Sequence, residues 1–187
     1  MAQLKMERKP IELEMPSLHD EFTIRSYKEG DWKGWVDACA EGLDTGNWTE
    51  QDFHTKMLDM EGLVPEGIFF IVDKEGRIAG TATGWVKPDF GYIHMVGMHM
   101  DYRGKGLAKA LNAKAVQYLL NRGCRRIMLD TDDFRIPAIK VYLNLGFLPI
   151  LYEPDMKERW ITIMKQIGLH ELEAYEVENG ALTMIHC

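Results

Sequence analysis

The 187-residue sequence predicts a mixed α+β or α/β sheet fold, and three observations carry that expectation. Strand-like segments joined by short turns dominate the first half. Strand-helix-strand units follow in the second half. Glycines at 76, 123 and 146 punctuate the segments as turn and cap residues would.

Residues 1–19 read as an extended leader containing Pro10 and Pro16. Glu21–Ser26 alternates as a first strand. Asp31 can cap a helix whose Trp32, Trp35, Val36, Cys39 and Ala40 share one stripe, ending near Gly42. Thr49 with Asp52 resembles a capping box for a second helix reaching about Asp59. Ile68–Asp73 and Arg77–Val86 form a hairpin around Lys74-Glu75-Gly76. Tyr92–Met100 is the third long strand, with Gly97 marking a possible bulge. A helix spans about Lys105 to Asn121 and stops at Gly123. Ile127–Thr131 is a short strand. A helix then begins at Pro137, with Ala138, Val141, Tyr142 and Leu145 at core spacing and Gly146 as its cap. Leu148–Tyr152 is a strand, and residues 157–167 are helical.

Lys and Arg number 22 against 29 Asp and Glu, a net charge of −7. That balance argues against nucleic acid or an anionic membrane as partner. No apolar run approaches the roughly twenty residues of a membrane span, and charge interrupts the first fifteen residues where a signal peptide would be apolar. Cys39, Cys124 and Cys187 lie far apart without C-x-x-C spacing. No metal site and a reducing, cytoplasmic setting are therefore expected.

The most informative stretch joins the third long strand to the long helix: Asp101-Tyr102-Arg103-Gly104-Lys105-Gly106-Leu107-Ala108-Lys109. Glycines let backbone approach a ligand, and a helix start presents N–H groups at the positive end of its dipole, so the place suits phosphate. A dinucleotide fingerprint fails because Lys109 stands where the third glycine belongs, and a Walker loop fails because Gly106 follows Lys105 instead of a hydroxyl residue. The pattern R/Q-x-x-G-x-G/A is met by Arg103, Gly106 and Ala108. It resembles the acyl-CoA pyrophosphate loop of the GCN5-related N-acetyltransferase (GNAT) superfamily. The run Arg135 to Gly146-Phe147 is similar to that family's second signature, N-x-x-A-I-x-L-Y-x-x-L-G-F, with Tyr142 at the tyrosine and Arg135 replacing the asparagine.

The resemblance implies a GNAT fold with splayed central strands over residues 20–167. Residues 1–19 would precede it as an extension. Residues 168–187 would form a tail, in which Ala181–His186 could supply the family's seventh strand. It also implies transfer of an acetyl group from acetyl-CoA to a primary amine in a ternary complex, without metal. Backbone N–H groups of Gly104, Lys105, Gly106, Leu107, Ala108 and Lys109, with the Arg103, Lys105 and Lys109 charges, would hold the pyrophosphate. Val96, Gly97 and Met98 would pair with pantetheine. Tyr142 would donate to the leaving thiolate. Asp130 stands where some members carry a base, although it could equally cap or bind the following turn with Asp132 and Asp133. Arg135 could reach the CoA phosphates or remain a solvated charge.

Glu41, Asp44 and Trp48 are suited to an ammonium group, and surface charge with a core tryptophan is the plainer reading. His94 is a further substrate-side candidate with an ordinary pKa near 6.5. The acceptor is a small-molecule or protein amine, and the chain is expected to be a monomer or homodimer. A CoA-binding sensor of the same fold, lacking turnover, is the alternative from a different class.

Overall fold

The computed structural model describes residues 2–43, 47–177 and 180–187. Residues 12–127 form one unit, and residues 1–11 with 128–187 form a second. Strands and helices in both units place the chain in the mixed α/β class that the sequence predicts.

In the first unit, β2 (Phe22–Ser26), β3 (Ile68–Asp73), β4 (Ile78–Val86) and β5 (Gly91–Met98) form an antiparallel meander. Helix α1 (Trp32–Leu43) lies over β4 and β5, and α3 (Leu107–Asn121) also packs on the meander. Trp35, Phe53, Met57, Ile68 and Phe70 are buried together beneath α1. Asp31 receives both Arg25 guanidinium nitrogens at 2.6 and 2.8 Å and the Lys28 N–H at 2.6 Å. The capping box expected at Thr49 and Asp52 is present. Its helix α2 (Glu50–Phe53) is short and passes into a π-helical turn over His54–Leu58.

The bulge in β5 falls beside Gly97 and not on it. Thr81 pairs with Gly97 while Thr83 pairs with His94, so Met95 and Val96 together oppose Ala82. Met95 carries the strain: at φ 48° it is the one non-glycine residue with positive φ among the described residues. One extra residue inverts the side-chain phase of the strand. Gly91 faces Leu119 of α3, whereas Gly97, also odd-numbered, faces α1. Gly97 is needed for a different reason: a Cβ there would stand 2.5 Å from the carbonyl oxygen of Ala38.

At the β3–β4 turn, Asp73 is a hub. Its Oδ1 accepts the N–H groups of Glu75 and Arg77, and its Oδ2 accepts Arg77 Nε at 2.7 Å and the Tyr102 hydroxyl at 2.7 Å. Burial alone would raise this carboxyl. The hydrogen bonds from Tyr102 and Arg77, with the Arg77 charge, outweigh it and hold the pKa at about 2.

In the second unit, β1 (Leu4–Arg8) lies between β6 (Ile127–Thr131) and β7 (Leu148–Leu151), followed by β8 (Glu171–Glu176) and β9 (Leu182–His186). β1 pairs antiparallel with β7, β7 parallel with β8, and β8 antiparallel with β9. The extended leader expected over residues 1–19 therefore contains a sheet strand with Leu4 and Met6 fully buried. Arg8, also buried, donates to the carbonyls of Leu145, Lys9 and Ile11 at 2.7–2.9 Å. β9 coincides with the expected last strand, while β8 has no counterpart in the sequence reading. Helix α5 (Met156–Ile167) buries Trp160 and Ile163.

Gly97→Ala should lower the stability by about 2 kcal/mol, because helix backbone yields less readily than a side chain would. A urea denaturation midpoint indistinguishable from wild type would refute the close approach. The Asp73 carboxylate titrates at about 2 in the folded chain against 3.8 ordinarily. Its contribution is thus complete above pH about 4 and disappears as pH falls through about 2. Asp73→Asn should flatten that acid limb of the urea midpoint, and an unchanged limb would show that the hub is not ionised.

Candidate active site

The turn after β5 is built by local rules. The Nδ1 of His99 accepts the Asp101 N–H at 3.4 Å and starts a single 3₁₀ turn over Met100–Tyr102. Gly104 and Gly106 have φ of 76° and 74°, which makes both glycines conformational necessities. The same angles delay α3, so it begins at Leu107 and not at the expected Lys105, with Gly106 as its left-handed N-cap. An added Cβ at either glycine would meet nothing within 4 Å, so the backbone here lies open. Arg103, Lys105 and Lys109 are exposed around it. No acidic residue occupies the first turn of α3. The orphan N–H groups and positive dipole end of the helix therefore have no carboxylate from that turn beside them. Arg103 Nε donates to the Met98 carbonyl at 3.1 Å, Lys105 lies 5.1 Å from the Tyr102 ring centre, and Tyr102 is pinned by Asp73. These groups fit a pyrophosphate. Val96, Gly97 and Met98, just before the turn, are the residues at and after the bulge.

Helix α4 (Ile136–Asn144) in the second unit positions Tyr142. The Phe147 N–H bonds the Tyr142 carbonyl at 3.1 Å and the Gly146 N–H bonds that of Leu143 at 2.9 Å, with Gly146 at φ 81°. This is the Schellman arrangement, and the Tyr142 and Phe147 rings make the hydrophobic contact that accompanies it, edge-on at 6.1 Å. So the final glycine and phenylalanine of the second signature lock the tyrosine's own turn. Ile139, Tyr142 and Leu145 are buried, with Ala138 and Val141 only partly so. Burial pushes the Tyr142 phenol up to about 12, against a smaller lowering by the Arg135 charge. Pro137 sits at the second helical position, after Ile136.

Asp130 is half-buried on β6, between the buried Leu129 and Thr131. The neighbouring aspartates do not cap α4 with their side chains. Asp132 accepts Arg135 Nε at 2.8 Å, and Asp133 accepts Arg159. Arg135 is the N-cap residue of α4, held by Asp132 and lying 5.1 Å from the Phe134 ring centre. The substitution of arginine for the family's asparagine thus has a local partner.

On the α1 side, Trp48 stacks on Trp35 at 5.0 Å and carries the Lys56 ammonium 4.9 Å from its ring centre. Lys56 thus stands over the ring face that the sequence reading gave to a substrate ammonium. Asp44 lies outside the described residues, and Glu41 contributes its backbone to α1. His94 Nε2 lies 3.3 Å from the Lys56 carbonyl. Because a carbonyl only accepts, Nε2 carries the hydrogen. Burial, aided by the Lys87 charge and opposed by the Lys56 hydrogen bond, lowers the His94 pKa and so favours the neutral ring. Beside it sit Trp85 and Tyr92, which the sequence reading did not single out, with ring centres 5.5 and 6.0 Å away. Among the described residues, no three His, Cys, Asp or Glu side chains gather as a metal site would. No helix among them is long and apolar enough to cross a membrane.

Comparison with known proteins identifies the family and the fold. A mycothiol acetyltransferase of Arthrobacter sp. (strain FB24) is 31% identical over 158 residues, covering 76% of this chain and 48% of that protein. One from Streptomyces bingchenggensis is 29% identical over 175 residues, covering 86% and 55%. The chain spans about half the length of these relatives. Among solved structures, a GCN5-related N-acetyltransferase from Sphaerobacter thermophilus superposes with a TM-score of 0.67 at 24% identity, over 79% of this chain and 49% of that one. The ribosomal-protein-S18-alanine N-acetyltransferase from Escherichia coli gives 0.56 at 23%, over 67% and 76%. Both likenesses show the fold. Residues 26–147 match the model of the acetyltransferase (GNAT) family, and the chain belongs to that family.

Proposed function

We propose that the chain is an acetyl-CoA-dependent N-acetyltransferase that moves an acetyl group to a primary amine by direct attack. The observation that carries this reading is the turn after β5: two left-handed glycines, an acid-free helix start and three exposed cations. Arg103, Lys105 and Lys109, with the amides of residues 104–108, hold the pyrophosphate; the Lys109 amide, expected to join them, bonds the Gly106 carbonyl at 3.2 Å. The backbone of Val96, Gly97 and Met98 pairs with the pantetheine amides, and the Met98 N–H polarises the thioester carbonyl. A single preorganised donor of that kind contributes about 3 kcal/mol in other enzymes. Bound acetyl-CoA supplies an activated acyl group, and the rest is positioning by the protein.

Tyr142 assists the leaving thiolate. Its phenol at about 12 lies roughly 3.5 units above a thiol at 8.5, so complete proton transfer would run uphill by about 5 kcal/mol. Tyr142 therefore stabilises the thiolate by a hydrogen bond and stays protonated. The acceptor arrives as an ammonium ion, and Asp130 accepts its proton through water. Small-molecule and protein amines both remain acceptors under this reading, in keeping with relatives named mycothiol acetyltransferase and a fold neighbour named ribosomal-protein-S18-alanine N-acetyltransferase.

Tyr142→Phe should reduce kcat by about tenfold or more while coenzyme A binds within about twofold of wild type by calorimetry. An unchanged kcat removes Tyr142 from the reaction. Gly106→Val forces a branched residue into a left-handed conformation, and should weaken coenzyme A binding at least about tenfold with the circular dichroism spectrum retained. A wild-type chain indifferent to coenzyme A sinks the whole reading.

A further inference from the structure

The β4–β5 hairpin carries a second feature with ligand chemistry. Its turn is closed by the Lys87 N–H on the Phe90 carbonyl at 2.9 Å. The Lys87 side chain folds back over three aromatic rings: its ammonium is 4.0 Å from the Trp85 ring centre, 4.8 Å from Tyr92 and 5.6 Å from Phe90. Tyr92 stands edge-on to both other rings, at 85° to Trp85 and 68° to Phe90. The indole is anchored from behind, because Trp85 Nε1 donates to the Glu61 carbonyl at 3.0 Å. Among the described residues Lys87 makes no ion pair. What holds its charge is the electron-rich faces of the rings.

We propose that Trp85, Phe90 and Tyr92 form a cation cage for the acceptor, with Lys87 as its built-in occupant. The inference rests on the acetyltransferase reading only in calling the ligand an acceptor. A cage of ring faces stabilises the charged form of whatever it holds. The nucleophilic amine must shed its proton, so the caged group is a different one, a second cationic centre on the same molecule. The cage precedes the bulge on β5, on the strand whose Val96–Met98 segment is assigned to pantetheine. From Tyr92 to Val96 is at most about 13 Å of extended strand. The class of acceptor indicated is a diamine or polyamine, or an amine also bearing a quaternary ammonium. Such a ligand displaces Lys87 from the rings, and the chain's net charge of −7 favours its approach.

Tetramethylammonium chloride tests the cage without catalysis, since it cannot be acetylated, with sodium chloride as control. Lys87→Ala removes the internal competitor and should bind tetramethylammonium at least about tenfold tighter than wild type, shifting the Trp85 indole N–H resonance. Lys87→Arg should stay near wild type. Adding Trp85→Leu or, separately, Tyr92→Leu to Lys87→Ala should abolish the gain. The inference is overturned if Lys87→Ala binds no tighter, or if the gain survives both ring substitutions. It is equally overturned if acetate binds wild type and is lost in Lys87→Ala, which would make Lys87 an anion ligand. Coenzyme A titrated into the same samples should bind all variants alike. Loss of that binding in wild type counts against the acetyltransferase reading and leaves the cage to its own measurement.

Discussion

One inserted residue in β5 governs what the first unit can do. Because Met95 and Val96 together oppose Ala82, the strand reverses its facing halfway along. Its first half presents Tyr92 and His94 away from α3, and its second half turns Gly97 onto α1. The strain at Met95 is the local cost, of the size that functional sites commonly carry. The helix above accommodates it only because Gly97 has no side chain.

The chemistry downstream depends on the same economy of side chains. Gly104 and Gly106 leave amides open, and the first turn of α3 lacks a carboxylate that would neutralise its dipole. Asp73, remote in sequence, fixes Tyr102 and with it the entry to the turn. In the second unit the Schellman cap does the comparable work for Tyr142, and burial rather than a charged neighbour sets its phenol.

Both signatures were legible because they encode local geometry. Glycine after cations at a strand end, and proline before with glycine after a short helix, describe backbone conformations that neighbours in sequence determine. The 103–109 turn could be read on that ground, whereas the role of Tyr142 was implied only by the resemblance to the family's second signature. Trp85 and Tyr92 were passed over because alternation along a strand does not reveal which aromatic rings converge, and for the same reason neither Lys56 over Trp48 nor Asp132 on Arg135 was foreseen.

The amino-acid order alone determined the fold class, the strand and helix sequence from Phe22 to Leu151, and the two-glycine turn that opens α3, since each rests on contacts a few residues apart. Only the tertiary structure decided that Leu4–Arg8 is a sheet strand, that β8 stands beside β7, that the bulge lies at Met95–Val96, and that Lys87 sits within three rings. Those outcomes depend on which distant backbone supplies a hydrogen-bonding edge or a packing surface, and that information is distributed over the chain and not written in any one segment.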